Sequence, residues 1–329
     1  MKIVDLIIPT YKARETLPSA LDSLVAQTKK FFIVTIVQDA DGEDYTDIIE
    51  RYKERGLQIR LLQMEENGGP GAARQYGMDK DLKSEFFMFM DADDLLNPRA
   101  IEILSKEIKA NNADIVISNF LVTEKDGTSH VMDVDTSPCT WTHGKIYRAQ
   151  YLRDKNIRFL PGLRLNEDSY FNLVAVNSTK NKFKIHEVTY VWHRNDNSLT
   201  RADGDDGFFI KSWECYICSQ VYGLKELGKN LGKLDPGLAA ATLINVYTHH
   251  MKALSSLFFS KCKEEDFWKT TVELKKLGKS PIVMEAINNE QFWDYLCRNL
   301  RACEKVGHNI IFYKVRFVDW LKQYVTETE

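Results

Sequence analysis

The chain has 329 residues, with 44 lysines and arginines against 47 aspartates and glutamates and a formal net charge of −3. The two signs are interspersed, so no basic stripe is available to follow a phosphate backbone, which argues against a nucleic-acid partner. No apolar stretch nears the ~20 residues needed to cross a bilayer, and the length suits one α/β domain with a smaller companion.

Asp5 and Pro9 spoil the N-terminus as a signal sequence, which predicts a cytoplasmic protein with reduced cysteines, at most peripherally associated with the inner membrane face. Cys215 and Cys218 have CxxC spacing without a second pair, so they read as buried helical cysteines and not as a zinc site.

Val4 to Ile8 is a β-rich run stopped by Pro9, a first strand that delivers Thr10 and Tyr11 to its carboxyl end. Arg14 to Thr28 carries Leu17, Leu21, Leu24 and Val25 at helical spacing. Phe32 to Val37 is a second strand with Asp39 and Asp41 just past its tip. The acids there suggest an EF-hand loop, but Asp44 stands where that loop needs glycine. Tyr45 to Arg55 reads as a helix and Ile59 to Met64 as a third strand. Asn67-Gly68-Gly69-Pro70 then opens a helix, where small residues admit a ligand close to backbone and the helix start favours anions.

Phe86 to Met90 are five consecutive apolar residues that run into Asp91, Asp93 and Asp94. This predicts a buried strand with acids at its tip. If the extended conformation persists, Asp91 and Asp93 point to one side and suit a hard divalent cation, Mg²⁺ or Mn²⁺, whose shell a diphosphate would complete. Asn97-Pro98 opens a helix over 98–110. The alternation of strands and helices predicts a mostly parallel sheet, and residues 9–11, 39–41, 65–74 and 91–94 all fall at its carboxyl edge, where such sheets bind ligands.

Further along, 115–117 and 120–122 predict one or two strands with a turn at 125–127, and 142–148 the start of a short helix. Arg164 to Phe171 is a loop meeting another helix. Lys184 to Trp192 is a strand leading into His193 to Arg201, a polar loop whose cations and hydroxyls suit a phosphate. From Gly207 the pattern turns helical, over 208–227, 236–259, 264–277 and 289–325, which predicts a division into 1–206 and 207–329. Trp268, Trp293, Phe312, Phe317 and Trp320 are expected in the helical core, and the adjacent His249 and His250 diverge too far to share a metal.

Pro9-Thr10-Tyr11, Val37-Gln38-Asp39, Asn67-Gly68-Gly69 with Ala73-Arg74 and Gly77, Asp91-Ala92-Asp93-Asp94, Gly144-Lys145-Ile146-Tyr147 and Glu167-Asp168 occur in an order and spacing that resembles the family-2 glycosyltransferases of the GT-A fold, over residues 3–203. The subgroup it looks like decorates bacterial cell-envelope polymers such as teichoic acids, capsule and lipooligosaccharide. The resemblance implies a nucleotide-binding, Rossmann-like α/β domain followed by a helical region for oligomerisation or acceptor binding. It implies transfer, with inversion and a bound Mn²⁺ or Mg²⁺, of a sugar from a nucleotide diphosphate donor, usually UDP-linked, to a hydroxyl of a glycan or polyol-phosphate polymer.

Carried over by residue, Pro9, Thr10 and Tyr11 border the nucleotide, Asp39 or Asp41 meets the base, and Asn67, Gly68 and Arg74 contact the nucleotide. Asp91 and Ala92 lie at the ribose or diphosphate; Asp93 is the chief metal ligand, with Asp91 and His193 beside it. Lys145, Arg194, Ser198 and Arg201 fall on the donor side, and Asp168 is the base that activates the acceptor. Two other classes remain open. A sugar nucleotidyltransferase would carry its phosphate loop after the first strand, where Pro9-Thr10-Tyr11 stands here, and a non-catalytic binding protein would be expected to have lost one of Asp91, Asp93 or Asp168.

Overall fold

The structure is a computed structural model that describes residues 4–80, 83–134, 140–194, 206–258, 264–304 and 317–326. The chain forms two compact units, Met1–Ser198 and Leu199–Glu329.

The first unit begins with β1 (Val4–Thr10), α1 (Leu17–Val25), β2 (Phe32–Gln38), α2 (Thr46–Glu54), β3 (Ile59–Gln63), α3 (Pro70–Lys80) and β4 (Phe86–Phe89). These four strands are parallel and lie in the order β3-β2-β1-β4. Leu6, Ile7, Ile8, Val34, Ile36 and Val37 have no exposed surface, so both faces of these strands are covered, as their unbroken apolar runs require. The chain leaves β1 on one side towards β2 and β3 and returns on its other side at β4. That reversal opens a crevice at the carboxyl ends of β1 and β4, the place where open α/β sheets hold ligands. Gly77 of α3 lies on the sheet under that crevice: a Cβ there would come within 2.8 Å of Ile7 Cγ2 and 3.2 Å of Val37 Cγ2.

The unit continues with β5 (Leu95–Leu96), α4 (Ala100–Ala110), β6 (Ile115–Thr123), β7 (Ser129–Met132), β8 (Lys145–Arg148), α5 (Ala149–Asp154), α6 (Glu167–Asn177) and β9 (Lys182–His193). β8 inserts antiparallel between β4 and β6, β6 runs parallel to β9, and β7 and β5 add antiparallel edges. The sheet is therefore mixed: parallel in the half that alternates strand and helix, and largely antiparallel beyond it. Residues 142–148, which suggest the start of a helix in sequence, instead supply β8. Lys145, Ile146 and Tyr147 pair with Ile117, Val116 and Ile115, and a four-residue strand held on both sides carries too short a pattern to announce itself. Residues 115–122 lie in the single strand β6, which has register shifts around Asn119. Asn97 Oδ1 accepts the Arg99 amide at 3.2 Å in a turn before the helix, so α4 begins at Ala100 with Arg99, not Asn97, at its N-cap position and no side-chain cap.

The second unit is helical, with α7 (Asp206–Leu231), α8 (Pro236–Phe258), α9 (Glu264–Gly278), α10 (Pro281–Ile287), α11 (Glu290–Glu304) and a π-helical turn at Lys322–Thr326. Phe317 and Trp320 are buried as expected of core aromatics, but Trp293 is 36% exposed; Phe312 and the Trp268 side chain lie outside the described residues. Trp320 Nε1 donates to His250 Nδ1 at 3.0 Å, whereas His249 stacks on Tyr216 with centroids 4.1 Å apart, so the two histidines do diverge. Cys215 and Cys218 are half-buried on α7, not fully buried. Among the described residues no helix is long and apolar enough to cross a membrane.

Because the space beside Gly77 is already filled, Gly77→Ala should destabilise the protein by ~1–3 kcal/mol through overpacking. Thermal unfolding of the variant checks this; an unchanged melting temperature would show that α3 can lift off the sheet without cost.

Candidate active site

Strand β4 stops at Phe89, and residues 91–94 form a turn closed by the Asp94 amide donating to the Asp91 carbonyl at 3.2 Å. The extended conformation does not persist, so Asp91 and Asp93 do not share a face by strand alternation. The turn instead carries Asp94 inward, to 1% exposure, and leaves Asp93 half-buried. The Tyr190 hydroxyl donates to Asp94 Oδ2 at 2.6 Å and accepts from the Asp91 amide at 3.1 Å; the His193 amide donates to Asp94 Oδ1 at 3.0 Å. Buried His143 completes the group, its Nε2 3.6 Å from Asp91 Oδ2 and 3.9 Å from Asp94 Oδ2. One donor atom from each of Asp91, Asp94 and His143 falls within 4.8 Å of the others.

Charge in this group is set by its neighbours. Burial by itself would raise the Asp91 carboxyl, yet the Arg74 guanidinium and His143 hold it below the ordinary carboxylate range. Asp94 is pushed well above that range by burial and by the charges of Asp91 and Asp93. Burial lowers His143, with Asp91 opposing, and a neutral imidazole is the metal-ligating form. Two carboxylates and an imidazole fit a divalent cation. The nitrogen donor tilts the fit away from Mg²⁺ towards a transition-metal ion such as Mn²⁺. Sequence reasoning placed the ion on Asp93, Asp91 and His193. Among the described residues the converging set is Asp91, Asp94 and His143, and His193 contributes its backbone amide to that set's second shell of hydrogen bonds. No sequence signal marked His143, whose place depends on the antiparallel insertion of β8.

Arg74, 3% exposed on α3, donates from Nη1 to Glu167 Oε1 at 2.7 Å and from Nη2 to Asp91 Oδ1. It ties the acidic turn to the start of α6. Asn166 precedes that helix in the left-handed conformation at φ 57°, which asparagine tolerates better than most residues. Helices α3 and α6 meet so closely that a Cβ on Gly71 would come within 2.7 Å of Glu167 Cγ. Asp168 accepts the Ser169 amide at 2.7 Å, and burial, followed by the charge of Glu167, pushes its carboxyl up to about 7.

The glycine-rich turn is organised differently from a phosphate loop. Asp39 accepts the Gly68 amide on Oδ1 at 2.7 Å and the Gly69 amide on Oδ2 at 2.8 Å, so these donors already face an anion within the chain. Asn67 donates to the Asp39 carbonyl at 3.0 Å and is gripped by Arg164, whose two terminal nitrogens reach Asn67 Oδ1 at 2.9 Å and its carbonyl at 2.6 Å. Asp41 accepts the Lys12 amide and the Tyr45 hydroxyl, each at 2.7 Å, and so staples the loop after β1 to the loop after β2. Pro9 is half-buried; Thr10 is buried with its hydroxyl on the Val37 carbonyl, Ala92 is buried, and Tyr11 stands 50% exposed at the rim. Lys145, expected on the donor, is 1% exposed with its ammonium on the Trp141 and His143 carbonyls: it supports the loop carrying His143 from beneath and cannot meet a ligand directly. Arg194 pairs with Glu124 at 3.0 Å. Ser198 and Arg201 lie outside the described residues.

The family model for Glycosyl transferase family 2 matches residues 5–164. The chain carries a family-2 glycosyltransferase domain. The match ends just before Glu167 and Asp168. Among curated relatives, poly(ribitol-phosphate) beta-N-acetylglucosaminyltransferase TarS of Staphylococcus aureus (strain MW2) is 24% identical over 275 residues, 79% of this chain and 46% of TarS. The uncharacterized glycosyltransferase EpsJ of Bacillus subtilis (strain 168) is 27% identical over 220 residues, 60% of this chain and 63% of EpsJ. The chain thus spans 46% to 63% of the length of these relatives. The crystal structure of S. aureus TarS 1-349 in complex with UDP-GlcNAc superposes with a TM-score of 0.62 at 19% identity, covering 90% of this chain and 89% of that one, and the shared fold is GT-A.

Two measurements test the site. Mn²⁺ binding followed by electron paramagnetic resonance should weaken about tenfold or more in His143→Ala and in Asp94→Asn, and less in His193→Ala; the reverse order would return the ion to the strand-tip pair and His193. Arg74→Met removes the guanidinium from both Glu167 and Asp91, leaving Asp91 to His143, and should cost ~3–5 kcal/mol. The double variant R74M/E167M should recover part of that loss in a thermal melt, and no recovery would mean that the Arg74–Glu167 pair is not the source.

Proposed function

We propose that the chain transfers a sugar from a nucleotide diphosphate donor, UDP-linked, to a hydroxyl of a cell-envelope glycan or polyol-phosphate polymer, with inversion at the anomeric carbon. The observation that carries this reading is the connection of Asp168 to Asp91 through Glu167 and Arg74. It links a carboxyl raised to about 7 with a group that suits a divalent cation, which supports the reading. The poly(ribitol-phosphate) transferase TarS suggests the polymer class, and its UDP-GlcNAc complex the donor class.

Asp91, Asp94 and His143 would hold the cation, with half-buried Asp93 beside them at the same turn. A bound Mn²⁺ or Mg²⁺ supplies electrostatic stabilisation to the diphosphate as its negative charge grows on departure. Tyr11 and the loops stapled by Asp41 and Asp39 border the nucleotide, Asp39 acting by fixing the glycine turn. Asp168 takes the proton from the acceptor hydroxyl as attack proceeds, a step typically worth ~10²–10⁴-fold in rate. Its raised pKa makes it a stronger base than an ordinary carboxylate at the cost of a protonated fraction near neutrality. One base and one departing diphosphate on opposite faces of the sugar give a single displacement, hence inversion. Arg74 keeps Asp91 ionised and holds the α6 start in place, so it serves both halves of the reaction without touching the acceptor. The helical unit is assigned to acceptor binding or self-association.

With UDP-sugar and Mn²⁺ supplied, Asp168→Asn should lower turnover by ~10²–10⁴-fold while the donor dissociation constant stays put. Retention of more than about a tenth of wild-type turnover removes Asp168 as the base. The protonated carboxyl cannot accept a proton, so wild-type kcat/KM should rise with pH through about 7, and a profile flat from about 5.5 to 8 would contradict the assignment.

A further inference from the structure

A chain of aromatic rings leads from the acidic turn to the surface, and the reaction as described makes no use of its outer end. Tyr190 and His143 stack with centroids 4.6 Å apart, Phe120 meets His143 edge-on at 5.4 Å, and Trp141 meets Phe120 edge-on at 5.5 Å. The first three are buried; Trp141 is 37% exposed. A single exposed aromatic needs no explanation by itself. What distinguishes Trp141 is how its loop is held.

The loop is fixed at both ends to the groups assigned to chemistry. The side-chain nitrogen of Asn172, wholly buried on α6, donates to the Thr140 carbonyl and to the Asp168 carbonyl, each at 3.1 Å, and its oxygen accepts the Tyr147 hydroxyl at 2.7 Å. One amide thus joins the residue before Trp141 to the backbone of the base. Two residues after Trp141, His143 faces Asp91 and Asp94, and the Lys145 ammonium gathers the Trp141 and His143 carbonyls from below. The backbone that carries the indole is therefore tied to the Asp168 backbone on one side and to the His143 loop on the other, and Trp141 stays 37% exposed.

We infer that Trp141 is the platform on which a pyranose ring of the acceptor stacks, presenting its hydroxyl to Asp168. The inference takes the reading of Asp168 as base and adds the acceptor's class. A pyranose offers a face of polarised C–H groups that suits the electron-rich face of an indole. An open-chain polyol phosphate offers no such face and calls for unengaged cations. Around the start of α6 the described cations are committed: Arg74 to Asp91 and Glu167, Arg164 to Asn67, and Lys145 to two carbonyls. The local chemistry favours a glycan acceptor over a polyol-phosphate chain.

The test uses the full chain. Saturation-transfer NMR is recorded with a panel of methyl pyranosides and with ribitol 5-phosphate, for wild type, Trp141→Ala and Trp141→Phe; hydrolysis of UDP-GlcNAc with Mn²⁺ is followed in parallel. At least one pyranoside should bind wild type, about tenfold more weakly to Trp141→Ala and at an intermediate level to Trp141→Phe, with ribitol 5-phosphate silent and donor hydrolysis unchanged. Pyranoside binding indifferent to Trp141→Ala, no pyranoside binding at all, or ribitol 5-phosphate binding alone would overturn the inference. So would a matching loss of donor hydrolysis, which would move the indole to the donor side. Trp141-dependent pyranoside binding in a chain that hydrolyses no UDP-sugar would uphold the platform while the transfer reaction assigned above fails.

Discussion

The site depends on one buried cation. Arg74 stands between Asp91 on the turn after β4 and Glu167 at the start of α6, and each of the three is in place because of the others. An unpaired guanidinium would be expensive in that interior, and so would either carboxylate. The arrangement converts a packing problem into a positional one: helix α3 cannot deliver Arg74 without bringing the acidic turn and the start of α6 together around it. The close approach at Gly71 is the steric counterpart of this electrostatic tie.

The carboxyls around this tie differ in protonation state. Asp91 is held ionised by Arg74, Asp94 is driven towards protonation by burial and by the acids around it, and Asp168 is lifted to about 7 by burial and Glu167. Carboxyls of one residue type thereby take different tasks through environment alone. A divalent cation would reshape this balance, since it would be the largest charge in the crevice. Glycine amides, by contrast, are kept out of it. Asp39 occupies the donors of Gly68 and Gly69, so the turn is fixed from within the chain.

A loop of six residues, 140–145, connects these parts. Asn172 anchors it to the Asp168 carbonyl, Lys145 braces it, His143 faces the acids and Trp141 is partly exposed. Short segments braced in this way hold side chains more sharply than a free loop, which is what discrimination between acceptors would require.

The amino-acid sequence by itself determined the parallel half of the sheet and the strand tips that border the crevice, because unbroken apolar runs ending in acids, and glycine before Pro70, state those elements locally. It also picked out Asp91, Arg74 and Glu167-Asp168, and the structure joins Asp91 and Glu167 through Arg74. It was silent on His143, on the inward turn of Asp94, on Lys145 being structural and on Trp141, and it read 142–148 as the start of a helix. Those matters were decided by the antiparallel insertion of β8 between β4 and β6, a long-range pairing that overrides a four-residue pattern. Local sequence sets which residues can form a strand or a helix; only the packed chain sets which buried charges must share a neighbour, and here that sharing makes the site.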